Sequence, residues 1–591
     1  MPDQSTIKMN TEPNSIDQQD GFTLLTRSRG GSIMSTTPDT SDYEEADNLS
    51  TPDISTVDET EFEEETSDEE NNETNQYNLL ESNYNLQFPD MSGTISRLSP
   101  PPAEPQPESS FDDYYETYSS EYIKFMNGQP TTNHTITHFK SVLSNNGFSY
   151  LPDNKPIRDL GPGLYFTSKD DQCLIAFAIG GNWKPQNGSC FIGSHCDAIT
   201  LKLNPRGSNR EKVNGYELLG VAPYSGPFNN QWLNRDLGIS GSVLIRDEKT
   251  GKISRKLINS TDPIAFIPQL APHFGLGDKK YNPQTQMVPI CGFSTSEEEE
   301  EEELSATEEE KNSKFYKRHS LSLLRYITNL AKVPLSSILD FDLELMDVQP
   351  SHRGGLSNEF IYSSRLDDRL CAFSSVYGLI EFTQRFYLDK DIESYDGLTG
   401  IYLANNEEIG SGTRTGAKGG FLIDVLKSIV SDKVRYNTME SIANLTTNTV
   451  FLSTDVTHAL NPNFKNIYLD KNFPLPNTGP SIKFDSNCHV LSDSLGNEFL
   501  TRIIDNLSGI KLQHFHIRND SRSGGTIGPI MSDSLRGING AKLIIDVGLP
   551  ILSMHSIRGI AGYKDPGIGV RFFKEVFETW QKTINEMENG K

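Results

Sequence analysis

At 591 residues the chain is too long for a single compact core, so two or more domains are expected. Acidic residues outnumber basic ones by 81 to 53, a formal net charge of −28, which argues against nucleic acid or an anionic membrane surface as the main partner, because both reward basic patches. Six scattered cysteines, Cys173, Cys190, Cys196, Cys291, Cys371 and Cys488, show no CxxC spacing, so a reducing compartment is expected and a zinc-finger framework is not.

The opening stretch "MPDQSTIKMNTEPNSIDQQDG" has no basic region followed by an apolar one, so no secretory signal is expected. No apolar run reaches the roughly 18 residues of a transmembrane helix. A soluble protein made in the cytosol is the expectation. Residues 1–112 are dominated by Ser, Thr, Asp, Glu, Asn and Pro, with "FEEETSDEENNETN" and "LSPPPAEPQPESS" as the most polar stretches. Such a segment buries too little apolar surface to offset its ordering entropy, so it reads as a disordered acidic extension. Two apolar islands interrupt it, "DGFTLL" (Phe22, Leu25) and "QYNLLE" (Tyr77, Leu80). They are either chance or short linear motifs that add a strand to a partner's sheet, as ligands of selective-autophagy receptors do.

Helical periodicity begins at "DDYYETYSSEYIKFMN" and "THFKSVLSNNGF", and "GLYFTS", "CLIAFAIGG" and "CFIGSHCD" are β-rich runs bounded by Gly and Asn. The glutamate-rich block at 294–313 reads as a solvated loop. Helical patterns return at "SLSLLRYITNLAKV" and "DRLCAFSSVYGLIEFTQRF". After them strands such as "GIYLA", "TVFLST" and "AKLIIDVG" alternate with helices to the end of the chain. Alternation of this kind predicts an α/β fold, a mixed and largely parallel sheet flanked by helices.

Ligands of open α/β sheets bind beyond the carboxyl ends of the strands, and acids and histidines stand at those ends here. They are His195 and Asp197 in "CFIGSHCDAIT", Asp367 and Asp368 in "FIYSSRLDDRL", Glu407 and Glu408 in "IYLANNEE", Asp455 and His458 in "VFLSTDVTH", and His555 in "PILSMHSIRG". Two metal ions need a shared carboxylate, ligands on each side and a water between them. His195, Asp367, Glu408, Asp455 and His555 supply that set. Asp197, two residues beyond His195 on an extended segment, points to the same side and is placed to orient the imidazole. Glu407 is left as a general base, and His458 reads as a supporting residue. By spacing alone the reading stops at a dinuclear hydrolase.

The motifs "GSHCDAITLKLNP", "GVAPY", "WLNRDLGISGSV", "IPQLAPHFG", "RLDDRLCAF", "NNEEIGSGTRTGAKGG", "STDVTHALNPNF", "SRSGGTIGP" and "LSMHSIRG" resemble, in order, those of the aspartyl and vacuolar aminopeptidases. "LAPHFG" and the "KDPGIGVRFF" tail are most similar to the fungal vacuolar branch. The resemblance implies a zinc-exopeptidase fold with two Zn2+ per subunit on the five ligands above, Asp367 bridging, and Glu407 as base. It also implies an inserted β-rich assembly and access domain at 206–350, dividing the catalytic domain into 113–205 and 351–591, and a homododecamer acting on peptide substrates. Vacuolar residence and capture by a selective-autophagy receptor through the extension are implied too, with the cytoplasm as the alternative. Lys483 resembles a lysine of the acid-preferring branch and His489 a residue of the vacuolar branch. Both are expected to bind substrate, with neutral or hydrophobic N-termini preferred. Asn234, Asn405 and Gly559 depart from family residues without removing a ligand. The rival readings are an inactive dodecameric scaffold or autophagy cargo, and a dinuclear deacylase or carboxypeptidase.

Overall fold

The computed structural model describes residues 111–226, 228–275, 280–389, 391–536 and 540–590. The expectations for residues 1–110, the disordered extension and its two motifs, lie outside the described residues.

The central sheet is built, in chain order, from β1 (Ser149–Tyr150), β2 (Gly163–Lys169), β3 (Cys173–Ile179), β4 (Cys190–His195), β5 (Leu398–Ala404), β6 (Val450–Thr454), β7 (Ser481–Phe484), β8 (Gln513–His516) and β9 (Leu543–Gly548). Among the described residues these nine strands lie in the order β1-β2-β3-β5-β4-β6-β9-β7-β8. The middle, β5-β4-β6-β9, is parallel, while β3 runs antiparallel to β2 and β5 and β7 runs antiparallel to β9 but parallel to β8. Every residue of β3, β4, β5 and β6 is buried, as continuous apolar strands covered on both faces require.

Alternate side chains leave the sheet on opposite sides. Leu174, Ala176, Ile192, Ile401, Leu403, Leu452 and Val547 join one core with the aromatic residues of helices Asp112–Gly128, Leu366–Asp389 and Asp565–Glu588. Ile175, Phe177, Phe191, Tyr402 and Phe451 join another with helix Phe421–Lys433.

A second, antiparallel sheet has the order Val221–Tyr224, Thr200–Leu203, Ile338–Asp347, Leu237–Arg246, Ile253–Asn259. It packs its own core, including Leu201, Leu203, Trp232, Ile239 and Leu345, against helix Leu321–Ala331. Thr200–Leu203, assigned from the sequence to the first catalytic segment, pairs in this second sheet. Its alternating leucines say that one face is buried and not against which layer.

The glutamate-rich block is helical rather than a loop, which corrects the sequence reading. Ser296–Ser305 and Glu308–Asn312 are helices, each opened by a capping box, Thr295 with Glu298 and Thr307 with Glu310. Glutamate is a good helix former and favours the positive end of the helix dipole, and the two threonines set the starts. Charge repulsion across the block is relieved where Glu310 pairs with Arg325 at 2.7 Å.

Helix Asp112–Gly128 docks through Phe125, which is 2% exposed, stacked on Phe139 at 5.0 Å and tilted against Phe373 at 5.5 Å. Phe125→Ala should cost about 3–5 kcal/mol, read as a lower denaturant midpoint at unchanged m-value. A loss below about 1 kcal/mol would show that this helix is not part of the core.

Candidate active site and metal centre

The site lies where the parallel strands end. β4 ends on His195 and β6 leads into Asp455, while β5 leads into a turn carrying Glu407 and Glu408 in a short 3-10 helix, Glu407–Ile409. Helix Leu366–Asp389 supplies Asp367 and Asp368 in its first turn, and His555 follows the strand Pro550–Leu552. Gly548 at the end of β9 is a sequence signal for this crowding. A Cβ there would lie 1.6 Å from the Asp455 carbonyl oxygen, so only glycine lets the two segments approach.

His195 is the hub. Its Nδ1 faces the Asp197 carbonyl oxygen at 3.1 Å and the Asp197 carboxylate at 3.3 Å. Its Nε2 faces Asp367 Oδ1 at 3.1 Å, Asp455 Oδ1 at 3.8 Å and Glu407 Oε2 at 3.9 Å. The other oxygen of Asp367 lies 3.4 Å from His555 Nε2, so this one carboxylate stands between the two histidines. One donor atom from each of His195, Asp367 and Asp455 falls within 4.8 Å of the others.

Asp197 does more than the sequence implied. Its two carboxylate oxygens accept the backbone N–H groups of Glu407 (3.1 Å) and Glu408 (3.2 Å). Asn406, at φ 57°, turns the chain so that both N–H groups point back at Asp197; asparagine tolerates that left-handed conformation better than most residues. The Tyr224 hydroxyl donates to the same carboxylate at 2.8 Å and accepts from the Asn406 side chain at 2.8 Å. Ser225 Oγ donates to Glu408 Oε2 at 3.1 Å.

Asp368 accepts from the backbone N–H of His195 (3.4 Å) and of Val456 (3.1 Å), bracing the segments that carry His195 and Asp455. Sequence reading gave Asp368, Tyr224, Ser225 and Asn406 no role at the site. Only the doubled aspartate at the helix start carried a signal, since one of two adjacent side chains must point away from the cluster.

Burial among other acids raises the proton affinity of Glu407, Glu408 and Asp368, whereas hydrogen bonds to the His195 ring outweigh burial and lower Asp367 and Asp197. Burial, reinforced by Asp455 and Asp197, pushes Glu407 up to about 7; burial and the neighbouring Asp367 push Glu408 up to about 9. Burial, with Asp455 beside it, takes Asp368 well above the usual carboxylate range. Asp455 Oδ1 is buried with no hydrogen-bond partner among the described residues, the His195 ring standing off at 3.8 Å, and a cation or a proton would satisfy it. Imidazole and carboxylate donors around it are the set that zinc accepts, so the residues fit a metal centre.

The two expected substrate-binding residues fare differently. Lys483 is 7% exposed and its ammonium lies 3.4 Å from Asp455 Oδ2, so it is not a solvated lysine but faces the acidic cluster. His489 is not brought to the cluster. β7 runs antiparallel to β9, so the chain beyond it leaves the strand ends where His195 and Asp455 stand. His489 there bonds Asp485 at 2.6 Å in a separate cleft of about 500 Å³ with His516, Arg518 and Arg522. Asn234 exchanges two hydrogen bonds with Gln269. Asn405 donates to Gln172 and Thr415 and keeps one more charge out of an acid-rich site. His458 packs its ring 5.5 Å from that of Phe515.

Comparison with known proteins points the same way. The family model described as aminopeptidase I zinc metalloprotease (M18) matches residues 125–577. Vacuolar aminopeptidase 1 of Saccharomyces cerevisiae is 40% identical over 480 residues, covering 80% of this chain and 90% of that protein. A chain from the structure of the S. cerevisiae mApe1 dodecamer superimposes with a TM-score of 0.70 at 35% identity, covering 80% of this chain and 99% of that one. A chain from the cryo-EM structure of the Ape4 and Nbr1 complex does so with a TM-score of 0.72 at 28% identity, covering 80% and 87%.

A chelator should therefore lower the melting temperature of the purified chain, and added zinc should restore it. Free zinc at 100 times its Kd contributes about 2.7 kcal/mol. His195→Ala should abolish the zinc-dependent increment in calorimetry. Equal increments in both proteins would place the stabilising metal elsewhere.

Proposed function

The chain belongs to the aminopeptidase I zinc metalloprotease family (M18) and is a zinc-dependent aminopeptidase, and on that premise we propose how its own residues remove the first residue of a peptide. His195, Asp367, Glu408, Asp455 and His555 would hold the zinc, two ions per subunit. When bound they supply Lewis-acid chemistry, acidifying a water and polarising the scissile carbonyl. Glu407 takes the proton of the attacking water on its carboxylate and returns it to the leaving amine nitrogen. Asp197 and Asp368 hold the segments that carry the ligands in register, and Lys483 balances the charge of Asp455.

The observation that carries this reading is the position of Glu407. Its backbone is tied to Asp197 while its carboxylate reaches within 3.9 Å of His195 Nε2, at the edge of the donor cluster and partly open to solvent. A base must lie within reach of the proton it moves and have a pKa near the working pH, and burial raises Glu407 in that direction.

Substrates with neutral or hydrophobic N-termini are preferred, because Lys483 is engaged by Asp455 and leaves no free ammonium there for an acidic side chain. The second sheet and its core, roughly residues 206–350 with the strand Thr200–Leu203, form the assembly and access domain, and the chain acts as a homododecamer. The dodecamer of the yeast relative supports that assembly. The vacuolar relative supports residence in a vacuole after synthesis in the cytosol, and the complex of Ape4 with Nbr1 supports recognition of residues 1–112 by a selective-autophagy receptor.

Glu407→Gln should lower kcat on an unblocked leucine reporter substrate by about 10²- to 10⁴-fold with bound zinc retained, and wild type should turn over the leucine substrate faster than its aspartate counterpart. Near-normal turnover by Glu407→Gln would remove it as the base, and an aspartate preference would reverse the specificity.

A further inference from the structure

The turn that leaves strand Val221–Tyr224 belongs to the second sheet, yet it places two hydroxyls on carboxylates of the catalytic site. Tyr224 donates to Asp197 Oδ2 at 2.8 Å and is itself held by the Asn406 side chain at 2.8 Å. Its ring lies under the Lys202 ammonium at 5.2 Å, and Lys202 is paired with Glu344 on the neighbouring strand. Ser225, the next residue, donates to Glu408 Oε2 at 3.1 Å.

Ser225 has φ 56°, the left-handed region in which a side chain is disfavoured and glycine is at ease. Its hydroxyl supplies what a glycine would lack, a donor to Glu408. Sparsely populated backbone conformations held in place at a reactive centre are a recurrent feature of functional sites.

We propose that Tyr224 and Ser225 are positioning residues for the paired glutamates: Tyr224 fixes the Asp197 carboxylate that grips the Glu407 and Glu408 backbone, and Ser225 fixes the carboxylate of Glu408. The consequence is that the metal-holding geometry depends on the second sheet being seated against the central one. This inference rests on the ligand and base assignments made above for Glu408 and Glu407. Removing a hydrogen-bond partner of a metal ligand typically costs 10- to 100-fold in metal affinity or activity.

The test uses the full chain and three variants, Tyr224→Phe, Ser225→Ala and Ser225→Gly. Zinc affinity is measured by competition with a chromogenic chelator, kcat and KM on the leucine reporter, and melting temperature on metal-free protein. Tyr224→Phe should lose about tenfold in zinc affinity and about tenfold in kcat with KM within twofold. Both Ser225 variants should lose zinc affinity by a similar factor. Ser225→Gly, relieved of its disfavoured φ, should do so with a metal-free melting temperature equal to or above wild type. A purely structural role predicts the opposite pairing for Ser225→Gly, a stable fold with unchanged zinc affinity, and that result overturns the proposal. So does a loss of zinc affinity that merely tracks a lowered metal-free melting temperature in all three variants. Wild-type protein that neither binds zinc nor cleaves the reporter overturns the ligand assignment itself, whereas zinc-binding, active wild type with three unaltered variants overturns only the positioning role.

Discussion

The carboxylate of Asp197 is the point on which the site depends. It is buried, faces the His195 ring on one side and accepts the backbone N–H groups of both Glu407 and Glu408 on the other. β4 and the loop after β5 are thereby locked together across adjacent parallel strands. An ionised group in that position is tolerated because four donors converge on it, Tyr224 being the fourth, and hydrogen bonds to a charged acceptor are the stronger kind. Taking any one donor away leaves the others holding a carboxylate that is no longer aimed.

Around that lock the protein collects like charges that repel one another. Asp367, Asp455, Glu407 and Glu408 surround one imidazole, and one oxygen of Asp455 has no hydrogen-bond partner among the described residues. Glu407 and Glu408 are raised in proton affinity by burial first and by neighbouring carboxylates second. A dication reverses that balance, converting mutual repulsion into shared coordination. Lys483 offsets part of the charge from within the sheet. This explains why a lysine that looks available in the sequence is committed in the structure.

Much of the architecture was legible because its signals are local. Glycine- and asparagine-bounded apolar runs marked the strands, and acids and histidines at strand ends marked the residues that the fold gathers at one edge. What escaped is non-local. Tyr224 and Ser225 reach Asp197 and Glu408 from a different sheet, and nothing in "GVAPYS" points there. Asp368 looked like a variant of its neighbour but supports two backbone segments instead of facing the cluster. His489 follows a strand that runs against its neighbour, and strand direction is set by tertiary pairing rather than by its own residues. The glutamate block reads as a loop when its net charge is weighed alone, whereas glutamate's helix propensity and the caps at Thr295 and Thr307 make it helical.

The most direct measurement is anomalous diffraction at the zinc absorption edge from crystals of the zinc-loaded protein. The account predicts two peaks per subunit, one bonded to His195 Nε2 and the other to His555 Nε2 at about 2.0–2.1 Å, with both on the carboxylate of Asp367. A single peak, or a pair that does not share Asp367, would contradict it.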